Sequence, residues 1–453
     1  MFNKINKLLV VISLVLILLA VIPSSFAINE DSSLNETEFV SISNYSPEPL
    51  EATYYYDYYF DASAESDGDG TINNPYKTLT ANIIRSNSNI HLANGEYTLD
   101  KKKDISNVNF IGSDPEKTII KFNGYGFNIQ STIFLQNLTL TDLAIINNYR
   151  LSATNTIFTQ STGSSIDYYG NNFGGAIYTP LNNYYATLVN LTNCTFKDNY
   201  AEYGGAIYLE SGNLYLNDCK FINNTAHNYG GAIALEYDSK VTIKKSEFIN
   251  NYAQNNAGGA IYLRNSELIG ENIEITNCSA TFGAGITSLS SNVNLNSVKG
   301  KNNAVKYDGG FIYQMYGKLS IVSSSFNNNS ALNGGAIFVD NTTSLIIITT
   351  SFTNNKANLT AGAVYSLLNK LNRGNSIKDM SLGNTFENNT ASSKQDAYES
   401  DLIELNIGNG DYVLYYVNTT EITIIPSKYS LIDENQVTSV KDQKSSDIGH
   451  LQE

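Results

Sequence analysis

A chain of 453 residues has room for two or three ordinary domains or for one long repeat array. Its 43 acidic against 28 basic side chains give a net charge of −15, and with four arginines and no basic stripe it excludes nucleic acid as a partner and disfavours polyanions unless metal ions bridge them. Three cysteines, Cys194, Cys219 and Cys278, make no disulfide framework, so stability has to come from elsewhere.

The first residues read as an export signal. Lys4 and Lys7 precede an apolar run over residues 8–22, Pro23 ends the run, and Ser25-Phe26-Ala27 offers small residues at a peptidase site. The run is short for a spanning helix, which needs about 20 residues. Residues 1–27 are therefore expected to be a cleaved signal peptide, leaving a mature chain from Ile28 with no membrane span, located outside the cell or on its surface. Residues 28–57 are acidic and rich in Ser and Asn, the composition of a flexible linker. Asp67-Gly68-Asp69-Gly70 reads as a turn before the first coil. It offers carboxylates toward Ca²⁺ but lacks the remaining ligands of an EF-hand loop, so no cofactor is expected.

The main feature is self-similarity. Aligned on Phe196, Phe221, Phe248, Ile275, Gly300, Phe326 and Phe352, the units are separated by 25, 27, 27, 25, 26 and 26 residues. Two apolar residues stand seven and five before each anchor, such as Leu214 and Leu216 or Val241 and Ile243. A small residue stands two before it, such as Cys194, Cys219, Ser246, Ser324 or Thr350. Three after it comes Asn199, Asn224, Asn251, Asn303, Asn329 or Asn355, and then a Gly-Gly-Ala-Ile-Tyr element, as at Gly204-Gly205-Ala206-Ile207-Tyr208. Runs with period two are strands, and the Gly pairs break helices. A unit this short cannot bury its own apolar face, but stacked on its neighbours it buries a continuous core. The fold class is therefore all-β, a right-handed parallel β-helix (solenoid) with about 25–30 residues per coil, its hand taken from the crossover preference. It is expected over residues 58–400, N-terminal cap included, followed by cap strands over 401–426 and a disordered tail over 427–453.

Stacking turns each repeat position into a ladder. The Phe ladder (Phe196, Phe221, Phe248, Phe326, Phe352) and the Leu/Val/Ile pairs are expected inside. The Asn ladder should take left-handed turns and bond to the next coil. The Ile of the Gly-rich element should point in. By alternation its aromatic neighbour then points out, giving an exposed row of Tyr178, Tyr208, Tyr262, Tyr313, Phe338 and Tyr365. Such a row either stacks on sugar rings or a partner surface, or stiffens the solenoid by stacking on itself. Cys194 and Cys219 share one inward position in successive coils and read as small packed thiols, while Cys278 replaces an Asn of its ladder.

The paired Phe-x-x-Asn and Gly-Gly-Ala-Ile elements, such as Phe196-Lys197-Asp198-Asn199 with Gly204-Gly205-Ala206-Ile207, resemble the repeats of chlamydial polymorphic membrane proteins. The Asn- and Tyr-rich chain as a whole is similar to adhesin-like β-helix proteins of methanogenic archaea. Phe60-Asp61-Ala62 through Asn74-Pro75-Tyr76-Lys77-Thr78-Leu79 looks like the opening of pectate-lyase-like β-helices. The resemblance implies a secreted or cell-surface adhesin-like protein that presents a solenoid face to glycans or other cell surfaces.

Two other functions are compatible with the same sequence, a structural envelope component and a polysaccharide lyase or glycoside hydrolase. Glycoside hydrolysis needs two carboxylates about 5–10 Å apart. Asp198 with Glu202 and Glu210 with Glu236 are the sequence candidates, each read more simply as surface charge, and Arg264 is expected to pair with Glu236 of the preceding coil. No catalytic residue is assigned.

Overall fold

The computed structural model describes residues 56–163, 165–166, 171–181, 187–340, 344–367 and 384–391, together with the backbone of strands Leu402–Asn406, Tyr412–Asn418 and Glu421–Ile422. The expected signal peptide, all but the end of the linker, and the tail lie outside the described residues. Among the described residues no helix is long and apolar enough to cross a membrane.

One coil shows the construction. Leu188–Thr192 runs into a bend at Asn193 (φ 50°), Thr195–Lys197 into a second bend at Asp198 (φ 57°), Tyr200–Tyr203 into a corner at Gly204 (φ 60°), and Ile207–Leu209 closes the turn. Each strand pairs in parallel with its counterpart one coil on. Val189 meets Leu214, Phe196 meets Phe221, Ala201 meets Ala226 and Ile207 meets Ile233. The protein is thus an all-β parallel β-helix. Tyr56–Phe60 already pairs with Ser88–Leu92, so Tyr56 and Asp57, read from sequence as the end of the linker, belong to the first coil. At the other end Tyr412–Asn418 pairs in parallel with Val364–Leu367 at Val413 and antiparallel with Leu402–Asn406.

The interior follows the ladders. Phe158, Phe196, Phe221 and Phe248 are fully buried and stack nearly face to face, with centroids 4.5, 4.8 and 4.7 Å apart. Each such ring contributes about 1.5–3 kcal/mol by leaving water. The rings give way to Ile275 and then to Gly300, where Phe311 reaches in from the Gly-rich element of the same coil. A Cβ on Gly300 would stand 2.5 Å from the Phe311 ring, and that ring packs 4.8 Å from Phe326. Two departures from the repeat thus compensate each other.

The Gly pairs divide their work. The first glycine takes positive φ, and the second has no room for a side chain: a Cβ on Gly205 would stand 2.1 Å from the Gly231 carbonyl oxygen of the next coil. In the copy beginning at Ala361, an alanine occupies the first position at φ 58°.

The Asn ladder corrects the expectation. Asn199, Asn224, Asn251, Asn303, Asn329 and Asn355 are fully buried, and none has positive φ. The left-handed bend falls one residue earlier, on exposed Asn223, Asn250, Asn328 and their equivalents. The buried side chain instead joins three coils. Asn224 Oδ1 accepts from the backbone N–H and Nδ2 of Asn199, while Asn224 Nδ2 donates to the Phe196 carbonyl and to Asn251 Oδ1. The small residue two before the anchor also does more than leave space. Ser246 Oγ accepts the Cys219 N–H at 3.0 Å, and Ser324 Oγ accepts the Val298 N–H at 3.0 Å. Cys194, Cys219 and Cys278 are buried free thiols, and Cys278 takes its Asn-ladder place by accepting from Asn251 Nδ2.

Candidate functional site

Outside the Gly corner, side chains of Tyr200–Tyr203 and Ile207–Leu209 meet across the turn at Gly204, as Tyr203 and Tyr208 do at 6.3 Å. The expected aromatic row runs along this meeting, in continuous register: Tyr178, Tyr208, Ala234, Tyr262, Thr287, Tyr313, Phe338, Tyr365. It is not the exposed row that alternation predicts. Tyr208, Tyr262 and Phe338 are 4%, 3% and 9% exposed, and Tyr178, Tyr313 and Tyr365 are half-buried.

A second row covers the first. Phe173, Tyr203, Tyr229 and Phe282 come from the facing strand, each five residues before a position of the first row. The two rows fill each other's gaps. Where the first has Ala234, Tyr229 lies 4.6 Å from Tyr262; where it has Thr287, Phe282 lies 5.2 Å from Tyr313. Where the second row turns polar at Asp308 and Asn333, Tyr313 and Phe338 stack on each other at 5.2 Å and 7°. The result is a second apolar cluster outside the solenoid, lined on its open side by the half-exposed faces of Phe173, Tyr178, Tyr203, Tyr229 and Phe282.

Charged groups edge the strip. Tyr208 donates to Glu236 Oε2 at 2.8 Å, and Arg264 Nη2 reaches the same oxygen at 2.8 Å, which is the inter-coil ion pair expected from sequence. Burial, then the Glu236 charge, holds the Tyr208 phenol far above its ordinary range. The Arg264 guanidinium also lies over the exposed Tyr237 ring at 5.4 Å. Further along, Asn333 Nδ2 donates to Asp308 Oδ1 at 2.8 Å, and burial pushes the Asp308 carboxyl up to about 6, with Asp340 adding to the rise.

The other sequence candidates go elsewhere. Asp198 accepts from Asn223 Nδ2, Glu202 from Asn228 Nδ2, and Glu210 from the Leu181 N–H, each at the surface. Asp67 Oδ1 accepts the N–H groups of Lys77 and Thr78, and Asp69 holds Thr71, so these carboxylates shape the turn. Among the described residues no group of three or more His, Cys, Asp or Glu is placed to hold a metal ion.

Residues 193–210, 218–236 and 323–340 match the family model of the Chlamydia polymorphic membrane protein repeat. Each stretch runs through the Gly corner and part of the aromatic rows, so the match falls on the geometry described above. The chain is a β-helix repeat protein in which these three stretches are similar to that repeat. No curated protein and no solved structure matches it.

Proposed function

We propose that this is an exported, surface-exposed, adhesin-like protein and that the aromatic strip outside the Gly corner binds glycans. The observation that carries the reading is the strip itself: aromatic faces left half-open along the axis and edged by carboxylates and one arginine. Sugars are recognised by stacking on such faces while polar groups bond their hydroxyls. The polymorphic-membrane-protein repeats support display at a surface, and the net charge of −15 favours neutral sugars over polyanions. The test is binding to a panel of plant, host and microbial polysaccharides. Tyr203→Ala with Tyr229→Ala should weaken the best ligand about tenfold, or about 1.4 kcal/mol, and lower Tm because both rings pack on the Tyr row, with retained strand circular dichroism showing that the variant is still folded when binding is read. Unchanged affinity would move binding off the strip.

A polysaccharide-cleaving enzyme is the second reading, favoured by the raised carboxyl of Asp308 beside the strip with Asp340 acting on it. Polymer chain length followed during the same incubation separates the two, since shortened chains would replace the adhesin reading with the enzyme. A purely structural envelope component is the third, and binding to no member of the panel would favour it.

A further inference from the structure

From Asn223 onward the second bend of each coil is an Asn in the left-handed conformation, exposed at all but the half-buried Asn302: Asn223, Asn250, Asn277, Asn302, Asn328, Asn354 and Asn388. The next residue is the buried ladder position, and the one after begins a strand. Those strand-starting residues are in register from coil to coil: Thr225, Tyr252, Ser279, Ala304, Ser330, Lys356, Thr390. Ser or Thr thus falls on every second coil. The sequon Asn-x-Ser/Thr is written at Asn223, Asn277, Asn328 and Asn388 and is broken at the three coils between.

We infer that this bend is an N-glycosylation row, with glycans at Asn223, Asn277, Asn328 and Asn388. Successive coils lie about 4.8 Å apart, roughly the width of one sugar ring, so glycans on every coil would collide. Every second coil gives about 10 Å and room for each chain. The fold tolerates the modification. The four side chains are exposed, while their buried ladder neighbours carry the inter-coil bonds. Asn223 Nδ2 donates to Asp198 Oδ1 at 3.1 Å and Asn328 Nδ2 to Asn302 Oδ1 at 2.8 Å, and each Nδ2 keeps one N–H after it is glycosylated. In the reaction Nδ2 bonds the anomeric carbon of a lipid-pyrophosphate-linked sugar. The bond from that carbon to the pyrophosphate oxygen breaks, the lipid pyrophosphate leaves, and the amide loses one proton. Asn193 and Asn358 carry exposed sequons off this row, and those of Asn137 and Asn190 are half-buried.

The inference rests on the export reading, and the experiment separates them. Protein is taken from the cells that make it naturally, its surface exposure is scored by added protease, and peptides spanning the bends are weighed by mass spectrometry. The expected result is surface exposure with sugar masses on Asn223, Asn277, Asn328 and Asn388. Surface-exposed but unmodified protein overturns the glycan row and leaves export standing; protein shielded from protease overturns both. In the same cells Tyr252→Thr writes a sequon on the coil between Asn223 and Asn277. Occupancy at Asn250 below about a tenth of that at Asn223 is expected from the spacing. Equal occupancy at all three would overturn the spacing argument.

Discussion

Asn303 is fully buried and bonded to both neighbouring coils. Its Oδ1 accepts the Cys278 N–H, and its Nδ2 donates to the Ile275 carbonyl and to Asn329 Oδ1. Asn303→Ala would leave the Cys278 N–H and the Ile275 carbonyl unpaired in the core, at about 1–3 kcal/mol each. Urea unfolding should show a loss of about 3–5 kcal/mol, against about 1–2 kcal/mol for Asn302→Ala at the neighbouring bend, where the left-handed preference and a surface hydrogen bond from Asn328 Nδ2 are lost. Sequence alone identified the row but not its burial, because Asn is common both in turns and in buried ladders, and the two jobs fall on adjacent asparagines. Asp308 gives a prediction with a sign. Its folded carboxyl titrates near 6 because it is buried, while the unfolded one titrates near the usual value of about 3.9. The folded state therefore holds the proton more tightly. The contribution to stability is complete below about pH 4 and is lost as pH rises through about 6. Asp308→Asn should then raise stability at pH 7 by about 1–2 kcal/mol and leave it unchanged near pH 3, read as Tm against pH. A gain of equal size at both pH values would assign the effect to packing rather than to charge.

Within a coil, strands cooperate across the corners. The aromatic row was legible as a row, but its exposure was not. Period-two alternation places Tyr208 outside the coil, which is correct, and says nothing of what covers it there. The cover comes from Phe173 and Tyr203, on strands that meet the Tyr row only because Gly174 and Gly204 fold the chain back at positive φ. The signal was present as an aromatic five residues before the row, and it becomes readable once the corner angle is known. Gly300 and Phe311 show the same logic inside. Read separately they are two lapses in the repeat; together they are one ring delivered from a different strand. Phe311→Ala should cost about 3–5 kcal/mol through the cavity it leaves beside Gly300. Adding Gly300→Phe to that variant should recover most of the loss, because the ring then comes from the ladder position itself, between Ile275 and Phe326. Gly300→Phe alone should be destabilising, since both rings would claim one space. A double-mutant cycle by urea unfolding reads the coupling, and additive losses would refute the compensation.

Among the described residues the solenoid is close to one-dimensional, since each coil pairs only with the coils before and after it. The repeat was legible from sequence because the same constraint acts on every unit, whereas the strip depends on which coils lack a ring, and that differs from unit to unit. The one-dimensional character can be tested by removing a coil. Ile286 and Ile312 occupy the same register, so deleting residues 287–312 joins Ile286 to Tyr313 and brings Ile275 against Phe326 and Cys278 against Asn329. The deletion removes Gly300 and Phe311 together, so no unmatched cavity remains in the Phe row. Cys278 keeps an acceptor for its N–H in Asn329 Oδ1, the part Asn303 plays in the intact chain. Because stability is a sum over coils and their interfaces, the shortened protein should fold, keep its strand circular dichroism and lose no more than about 10 °C in Tm. Removing only residues 287–299 sets each following strand against the wrong partner and turns inward faces outward, and that variant should not fold. If both deletions unfold the protein, the coils depend on contacts beyond their neighbours. If both fold, register matters less than the ladders imply.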